Sequence, residues 1–395
     1  MSPALTFAPI DFDEFHRVAL PARIATGNGR LAAKDLVGVP PLAVQVPDGS
    51  AYTYRPGPAT VDVTPGVSDD AGVVVEFSTA TWSDYANELR TCFGLLYADL
   101  VRFTRGGFDD LARWEPALCA LFHGRPIYDP ATVDVPDDLT QSFAIDEPGW
   151  PEFFAHAGFV HLRAVFEAAE VDDLAAEVER LVAAARPGDG RSWWATRADG
   201  TEVCCRVTYT TLTSERIAAF ATNDRLRRLR ALGPPGLVPT LDCLDGFAAV
   251  IKQPGAVDGL ADLPWHQDCG LGGHPVLCPG IQIGIQLDAA TAAAGQLRFL
   301  AGSQATSCHQ LRPADEARMP VVAVDTEPGD VTIHDPHALH AAPSPTGTGR
   351  GRRALYASFV RPETLAYVGP GRAYNDVLFE RDARVRSVNE VRAKP

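Results

Sequence analysis

Read for the spacing of its apolar positions, the chain changes character twice. Early on, Ala51–Tyr54, Thr60–Val63 and the β-branched run Val73–Phe77 are short and separated by Pro, Gly and Asp turns, so they read as strands. Trp82, Tyr85, Leu89, Phe93, Leu96 and Leu100 then recur at helical spacing as far as Gly106-Gly107. Thr81 offers the N-cap of that helix, with Asp84 as a weak capping box. A second helix is expected over Phe108–Phe122, stopped at Gly124. The following stretch, Tyr128–Asp146, is acidic and punctuated by Pro130 and Pro136, as a linker would be.

A new pattern begins near Trp150. Phe153, Phe154, Phe159 and Val160 lead into an amphipathic helix over Val171–Ala185, which ends before Pro187-Gly188. Gly190–Cys205 holds Trp193 and Trp194 but few apolar anchors, and reads either as a lid over a site or as a plain surface connection. Arg225–Leu232 is a further short helix. After Pro239 the pattern turns to β: Gly246–Ile251, Val276–Gln286, Gly295–Leu300, Val321–Val324, Asp330–Ile333 and Ala354–Val360. Short strands in series with Gly/Pro turns indicate a sandwich or jelly roll. The expected class is therefore α+β: a small α+β domain over 1–130, a linker over 131–148 and a β-rich domain with flanking helices over 149–395.

Composition narrows the partners. The 395 residues are 46% apolar and 22% charged, as in a globular protein large enough for two cores. A net charge of −15 argues against nucleic acid and against anionic membrane. No leader-like segment opens the chain, and no apolar run approaches the ~18 residues of a spanning helix. The eight cysteines form no C-x-x-C pair, and adjacent Cys204-Cys205 are poorly placed to bridge. Reduced thiols in a cytoplasmic protein are expected.

The candidate chemistry lies in Trp265-His266-Gln267-Asp268. Side chains two apart on a strand share a face, so His266 and Asp268 point together. A second histidine from a distant strand would complete a 2-His-1-carboxylate set. Such a set leaves three adjacent metal positions open, which suits non-haem Fe(II) activating dioxygen. An oxygenase is the reading that follows. His334, His337 and His340 are the candidates for the second histidine. If they share one strand, His334 and His340 point alike and His337 points oppositely. His274 and His309 have only loop contexts.

Residues ~150–365 resemble the phytanoyl-CoA dioxygenase family of Fe(II)/2-oxoglutarate oxygenases. The matching pieces stand in family order: Gly158-Phe159-Val160, Ile251-Lys252-Gln253-Pro254, Trp265-His266-Gln267-Asp268, Gly295-Gln296-Leu297-Arg298, Ala301-Gly302-Ser303, Gly329-Asp330, His340 and Arg352-Arg353-Ala354-Leu355. The resemblance implies a double-stranded β-helix (jelly-roll or cupin-like) core, with Fe(II) as metal and 2-oxoglutarate and dioxygen as co-substrates. In the family register the distal ligand lies eleven residues after the Gly of the Gly-Asp turn, which selects His340 and completes a metal set of His266, Asp268 and His340. The losing histidines are then expected on the outer face. The register of the last strand selects Arg352 to grip the far carboxylate of 2-oxoglutarate bidentately, with Arg353 on the opposite side and Arg350 in the turn. Lys252 matches a lysine near the same pocket. The family serine two residues past the distal histidine is Ala342 here, so one contact is missing or supplied by Ser344 or Thr332. Asp268 itself disfavours halogenation, because related halogenases need a small residue there.

The first ~130 residues resemble sterol-carrier-protein-2-like domains, through Trp82-Ser83-Asp84-Tyr85 and Trp114-Glu115-Pro116-Ala117-Leu118 with His123-Gly124-Arg125-Pro126. That implies a lipid or acyl tunnel; a structural or dimerising role is the alternative. Hydroxylation of a small organic or acyl substrate is the expected activity. Two other readings stay open: a lipid-binding protein with a degenerate oxygenase half, and an oxygenase that desaturates, epimerises or cyclises. A CoA thioester would favour a basic patch, and only the scattered cluster Arg225–Arg230 is present. A homo-oligomer is left open.

Overall fold

The computed structural model describes residues 8–97, 99–259, 263–268, 280–347, 351–368 and 375. His274, Arg350, Cys269, Cys278 and the start of the strand expected at Val276 lie outside them. The fold is mixed α+β, with three sheets and two large apolar clusters.

In the first part, β1 (Leu42–Gln45), β2 (Ala51–Pro56), β3 (Val61–Pro65), β4 (Val73–Glu76) and β5 (Arg102–Arg105) form a sheet of order β3-β2-β1-β4-β5, with β1 and β4 parallel. A helical stretch over 12–35, broken at Gly27 with φ 118°, also packs here; its apolar pattern is too short and interrupted to be read from sequence. The single helix expected over Trp82–Leu100 is two: α1 (Thr79–Ala86) and α2 (Cys92–Tyr97). Glu88 breaks it, taking a left-handed φ of 55° while its carboxylate grips the Arg125 guanidinium. Ser78, not Thr81, caps α1, accepting from the Thr81 amide at 3.0 Å. The third helix, α3 (Phe108–His123), ends at Gly124 in the left-handed region (φ 68°), which glycine adopts without steric cost. Trp82, Trp114, Tyr54 and Phe77 fill the interior between helices and sheet.

The second part is built from two sheets. The larger contains β6 (Ser142–Ala144), β7 (Phe159–Arg163), β8 (Ser192–Arg197), β9 (Glu202–Val207), β10 (Val238–Pro239), β11 (Phe247–Lys252), β12 (Ala256–Gly259), β14 (Ile281–Gln286), β17 (Val331–His334) and β19 (Arg352–Val360). The smaller has the order β13-β18-β15-β16, from β13 (Leu263–His266), β15 (Leu297–Leu300), β16 (Val321–Val324) and β18 (His340–Ala342). Phe159 of the large sheet stacks on Phe299 of the small one at 4.6 Å, so the two face each other. Helices α4 (Ala168–Ala184) and α5 (Asp224–Arg230) cover the large sheet's other face with Val171, Leu174, Val178, Leu226 and Leu229.

Gly190–Cys205 is neither a lid nor a plain connection. It is the β8–β9 hairpin, turned at Asp199-Gly200 and continuous with the large sheet. Within the acidic stretch after Tyr128, β6 pairs in parallel with β7 and Phe143 is buried. Tyr128 itself is tied to Ser307 and Ala301. No helix among the described residues is long and apolar enough to cross a membrane, and the six described cysteines are unbridged.

Candidate metal and co-substrate site

Strand pairing explains why residues far apart in sequence meet. β13 and β18 are antiparallel neighbours, and His266 lies directly opposite His340. Opposed residues on paired strands share a face at short range. Their rings are accordingly 4.3 Å apart. Asp268 follows two residues after His266, and its Oδ1 sits 3.7 Å from His266 Nε2 and 3.6 Å from His340 Nε2. One ligand atom from each of His266, Asp268 and His340 lies within 4.8 Å of the others, and this is the cluster among the described residues that could hold a metal ion.

Hydrogen bonds set the tautomers. His266 Nδ1 is 2.7 Å from the Pro264 carbonyl, and His340 Nδ1 is 2.9 Å from that of Ala338. A carbonyl only accepts, so each Nδ1 carries the proton and each Nε2 is left as a bare lone pair facing Asp268. Burial pushes both imidazoles toward the neutral form, His340 down to about 3 with His266 reinforcing the shift. Burial works against ionising Asp268, yet His340, His334 and His266 together hold its carboxyl well below the usual range. Two neutral nitrogens and one carboxylate oxygen suit a borderline divalent metal such as Fe(II).

His334 departs from expectation. It does not share a strand with His340: Asp335 turns the chain, with the Ala338 amide donating to its carbonyl at 2.8 Å, and Pro336 has no N–H to continue a ladder. His334 ends β17 in the large sheet, while His340 begins β18 in the small one. Rather than lying on the outer face, His334 is 2% exposed and its Nε2 is 3.1 Å from Asp268 Oδ2. His337 sits in the turn between them, where its carbonyl accepts from Gln267 Nε2. His309 is not part of the cluster and is engaged by Asp35 at 2.8 Å and Arg113 at 3.0 Å.

Beyond the three donors lies a buried cationic floor. Lys252 and Arg352 are cross-strand partners on β11 and β19, and each is 1% exposed. Lys252 Nζ donates to the Ala342 carbonyl. Arg352 donates to the Gly295 carbonyl at 2.9 Å and to Gln286 Oε1 at 3.3 Å, and makes no ion pair among the described residues. A buried guanidinium held only by neutral acceptors is costly unless an anion joins it. Thr332 Oγ1 accepts from Gln286 Nε2 at 3.2 Å and lies on the same floor, whereas Ala342 offers only its backbone. Arg353 faces the other way, paired with Asp288 and Glu179 at 2.7 Å each.

Sequence reasoning missed two residues here. Gln286 is a fully buried amide at the end of a strand whose other glutamine, Gln282, is only partly buried, and no local pattern separates the two. Arg206, on the hairpin strand β9, lies 4.5 Å over the Trp193 ring and pairs with Asp245, and its charge reaches His266. No sequence spacing signals that approach.

A profile described as phytanoyl-CoA dioxygenase (PhyH) matches residues 154–354, just over half of the chain. Among solved structures, the chain is similar to AviO1 from Streptomyces viridochromogenes Tue57, at 25% identity over 54% of this chain and 94% of that one, with a TM-score of 0.44. It is also similar to EctD from S. alaskensis, solved with 2-oxoglutarate and 5-hydroxyectoine, at 19% identity over 63% and 89% of the two chains and a TM-score of 0.47. The epimerase SnoN, solved with Fe3+, alpha ketoglutarate and nogalamycin RO, shows 23% identity over 56% and 89%, with a TM-score of 0.42. No curated protein matches the chain in sequence. By its extended profile match, the chain belongs to the phytanoyl-CoA dioxygenase family.

Proposed function

We propose that this chain is an Fe(II)- and 2-oxoglutarate-dependent oxygenase that hydroxylates a small organic or acyl substrate. The observation that carries the reading is the convergence of bare His266 Nε2, bare His340 Nε2 and the Asp268 carboxylate within 4.8 Å. These three would hold the metal, and Arg352, with Lys252 beside it, would neutralise the far carboxylate of 2-oxoglutarate. Bound together, Fe(II) and 2-oxoglutarate supply oxidation of an unactivated C–H bond by dioxygen, with succinate and CO2 as co-products. The chain's own residues hold the two imidazoles neutral and the Asp268 carboxylate ionised, keep the cationic floor dry, and align the co-substrate between the sheets.

The test is an anaerobic titration of the apoprotein with Fe(II) and then 2-oxoglutarate. One Fe(II) per chain and a weak visible charge-transfer band on adding 2-oxoglutarate are expected. Iron binding without that band would remove the co-substrate from the reading. We hold 1–130 and 149–395 as two units. Since β6 is ordered against β7, limited proteolysis should cut between 130 and 141. A sterol-carrier-like role for the first unit is tested by native mass spectrometry for a co-purifying lipid.

A further inference from the structure

The two oxygens of Asp268 stand in different surroundings. Oδ1 faces the lone pairs of His266 and His340, at 3.7 and 3.6 Å. Oδ2 is met from across the site by His334 Nε2 at 3.1 Å. A carboxylate only accepts, so Nε2 of His334 carries the proton in that contact. His334 Nδ1 is buried and has no partner among the described residues, so the polar engagement this ring shows there is with Asp268. Position is fixed from several sides. His334 pairs in register with Gln282 and Phe159, its ring lies 5.5 Å from Phe299 and 4.5 Å from His340, and the side chain is 2% exposed. The donor therefore comes from the large sheet, while all three candidate ligands stand on or just beyond β13 and β18 of the small one.

We propose that His334 is a positioning residue that occupies Asp268 Oδ2 and so presents Oδ1 alone to the metal. A carboxylate free at both oxygens can chelate a divalent ion and consume a second coordination position. A hydrogen bond to one oxygen disfavours that mode and keeps the position open for co-substrate or dioxygen. Partners of this kind orient ligands and tune the metal. The inference rests on the metal assignment to His266, Asp268 and His340.

The experiment uses the full-length apoprotein and Co(II), whose visible ligand-field absorption weakens as coordination number rises. His334→Leu removes the donor, and His334→Gln restores an N–H. The Leu variant should still bind one Co(II), with affinity lowered about 10–100-fold and a visible band changed in position or intensity, and the Gln variant should recover both. Leu binding and spectrum identical to wild type would overturn the proposal, as would a Gln variant that behaves like Leu. Loss of all Co(II) in both variants, as in His340→Ala, would make His334 a ligand and overturn it too. Wild-type protein that binds no Co(II) would sink the metal assignment itself, a result distinct from those three. Should the Leu variant fail to fold, ¹⁵N-histidine NMR of the wild-type apoprotein decides. His334 must show an Nε2–H tautomer whose proton resonance moves in Asp268→Asn; an Nδ1–H tautomer would refute the contact.

Discussion

The two faces of the large sheet are equally dry and chemically opposite. On the face covered by α4 and α5, Ile281, Ile283, Ile285, Val331, Ile333 and Leu355 are each 0% exposed, and every one is aliphatic. One residue along, on the face turned to the small sheet, Lys252, Gln286, Thr332 and Arg352 are 1% exposed and His334 is 2%. Strand alternation puts these two populations on the same strands, with Gln286 beside Ile285 and His334 beside Ile333. Burial alone therefore does not distinguish core from site. Aliphatic burial stabilises the fold by about 25 cal/mol per Å² of apolar surface. Buried polar groups give no such return and are tolerated only where partners or a ligand satisfy them. The outer face holds the sheet together, and the inner face carries the buried polar groups that the aliphatic face lacks.

Substitutions at the metal cluster should break the inner face most severely. Asp268→Ala or His340→Ala is expected to abolish stoichiometric Fe(II) binding, measured anaerobically by a chromogenic iron assay after desalting. His337→Ala, in the turn outside the cluster, should leave it intact. If His337→Ala were the dead variant and His340→Ala active, the ligand assignment would be wrong. Arg352→Ala comes next. Truncating one member of a buried charge pair costs about 2–5 kcal/mol, so affinity for 2-oxoglutarate should fall by orders of magnitude while iron binding persists. Because apo Arg352 makes no ion pair among the described residues, the melting temperature of the apoprotein should hold or rise. Unchanged 2-oxoglutarate affinity would move the role to Lys252.

Much of this arrangement was legible in the sequence, and the gaps have physical causes. The H-x-D pair, the run of short strands and the Gly124 stop are local signals. The position of His334 was not legible, because three histidines at equal spacing read as one strand. Asp335-Pro336 was the available correction, a turn signal followed by a residue that cannot donate to a ladder. The β8–β9 hairpin was hidden by its mixed Trp, Arg and Cys content, although Asp199-Gly200 is a strong hairpin turn signal. The break in the Trp82–Leu100 helix depends on Arg125, a tertiary partner that no window across the helix contains.

The outer face should fail in the complementary way. Ile283 is fully buried in the apolar cluster between the sheet and its helices. Ile283→Ala should cost about 2–5 kcal/mol of stability, from lost transfer energy and an unfilled cavity. Urea unfolding would measure it. Under native conditions Fe(II) and 2-oxoglutarate affinities should stay within twofold or so of wild type. A large loss of 2-oxoglutarate affinity in protein that is still folded would mean that the two faces are not separable.

The smallest effect gives the sharpest comparison, because Arg353 adjoins Arg352 and points to the opposite face. Its guanidinium takes both oxygens of Asp288, at 2.7 and 2.8 Å, and reaches Glu179 of α4 at 2.7 Å. Asp288 also accepts from the Arg353 backbone amide at 2.9 Å, a bond that survives side-chain truncation. With that donor retained, and with Glu179 half exposed to screening solvent, Arg353→Ala should cost about 1 kcal/mol. Most of the change should appear in urea unfolding, and it should shrink in high salt as the paired charges are screened. Binding of 2-oxoglutarate should be indifferent to the substitution. Two neighbouring arginines would then differ by orders of magnitude in ligand affinity, in the sense set by which way each faces. If Arg353→Ala weakened 2-oxoglutarate binding as much as Arg352→Ala, the inward and outward assignment of β19 would be reversed, and with it the contrast between the faces.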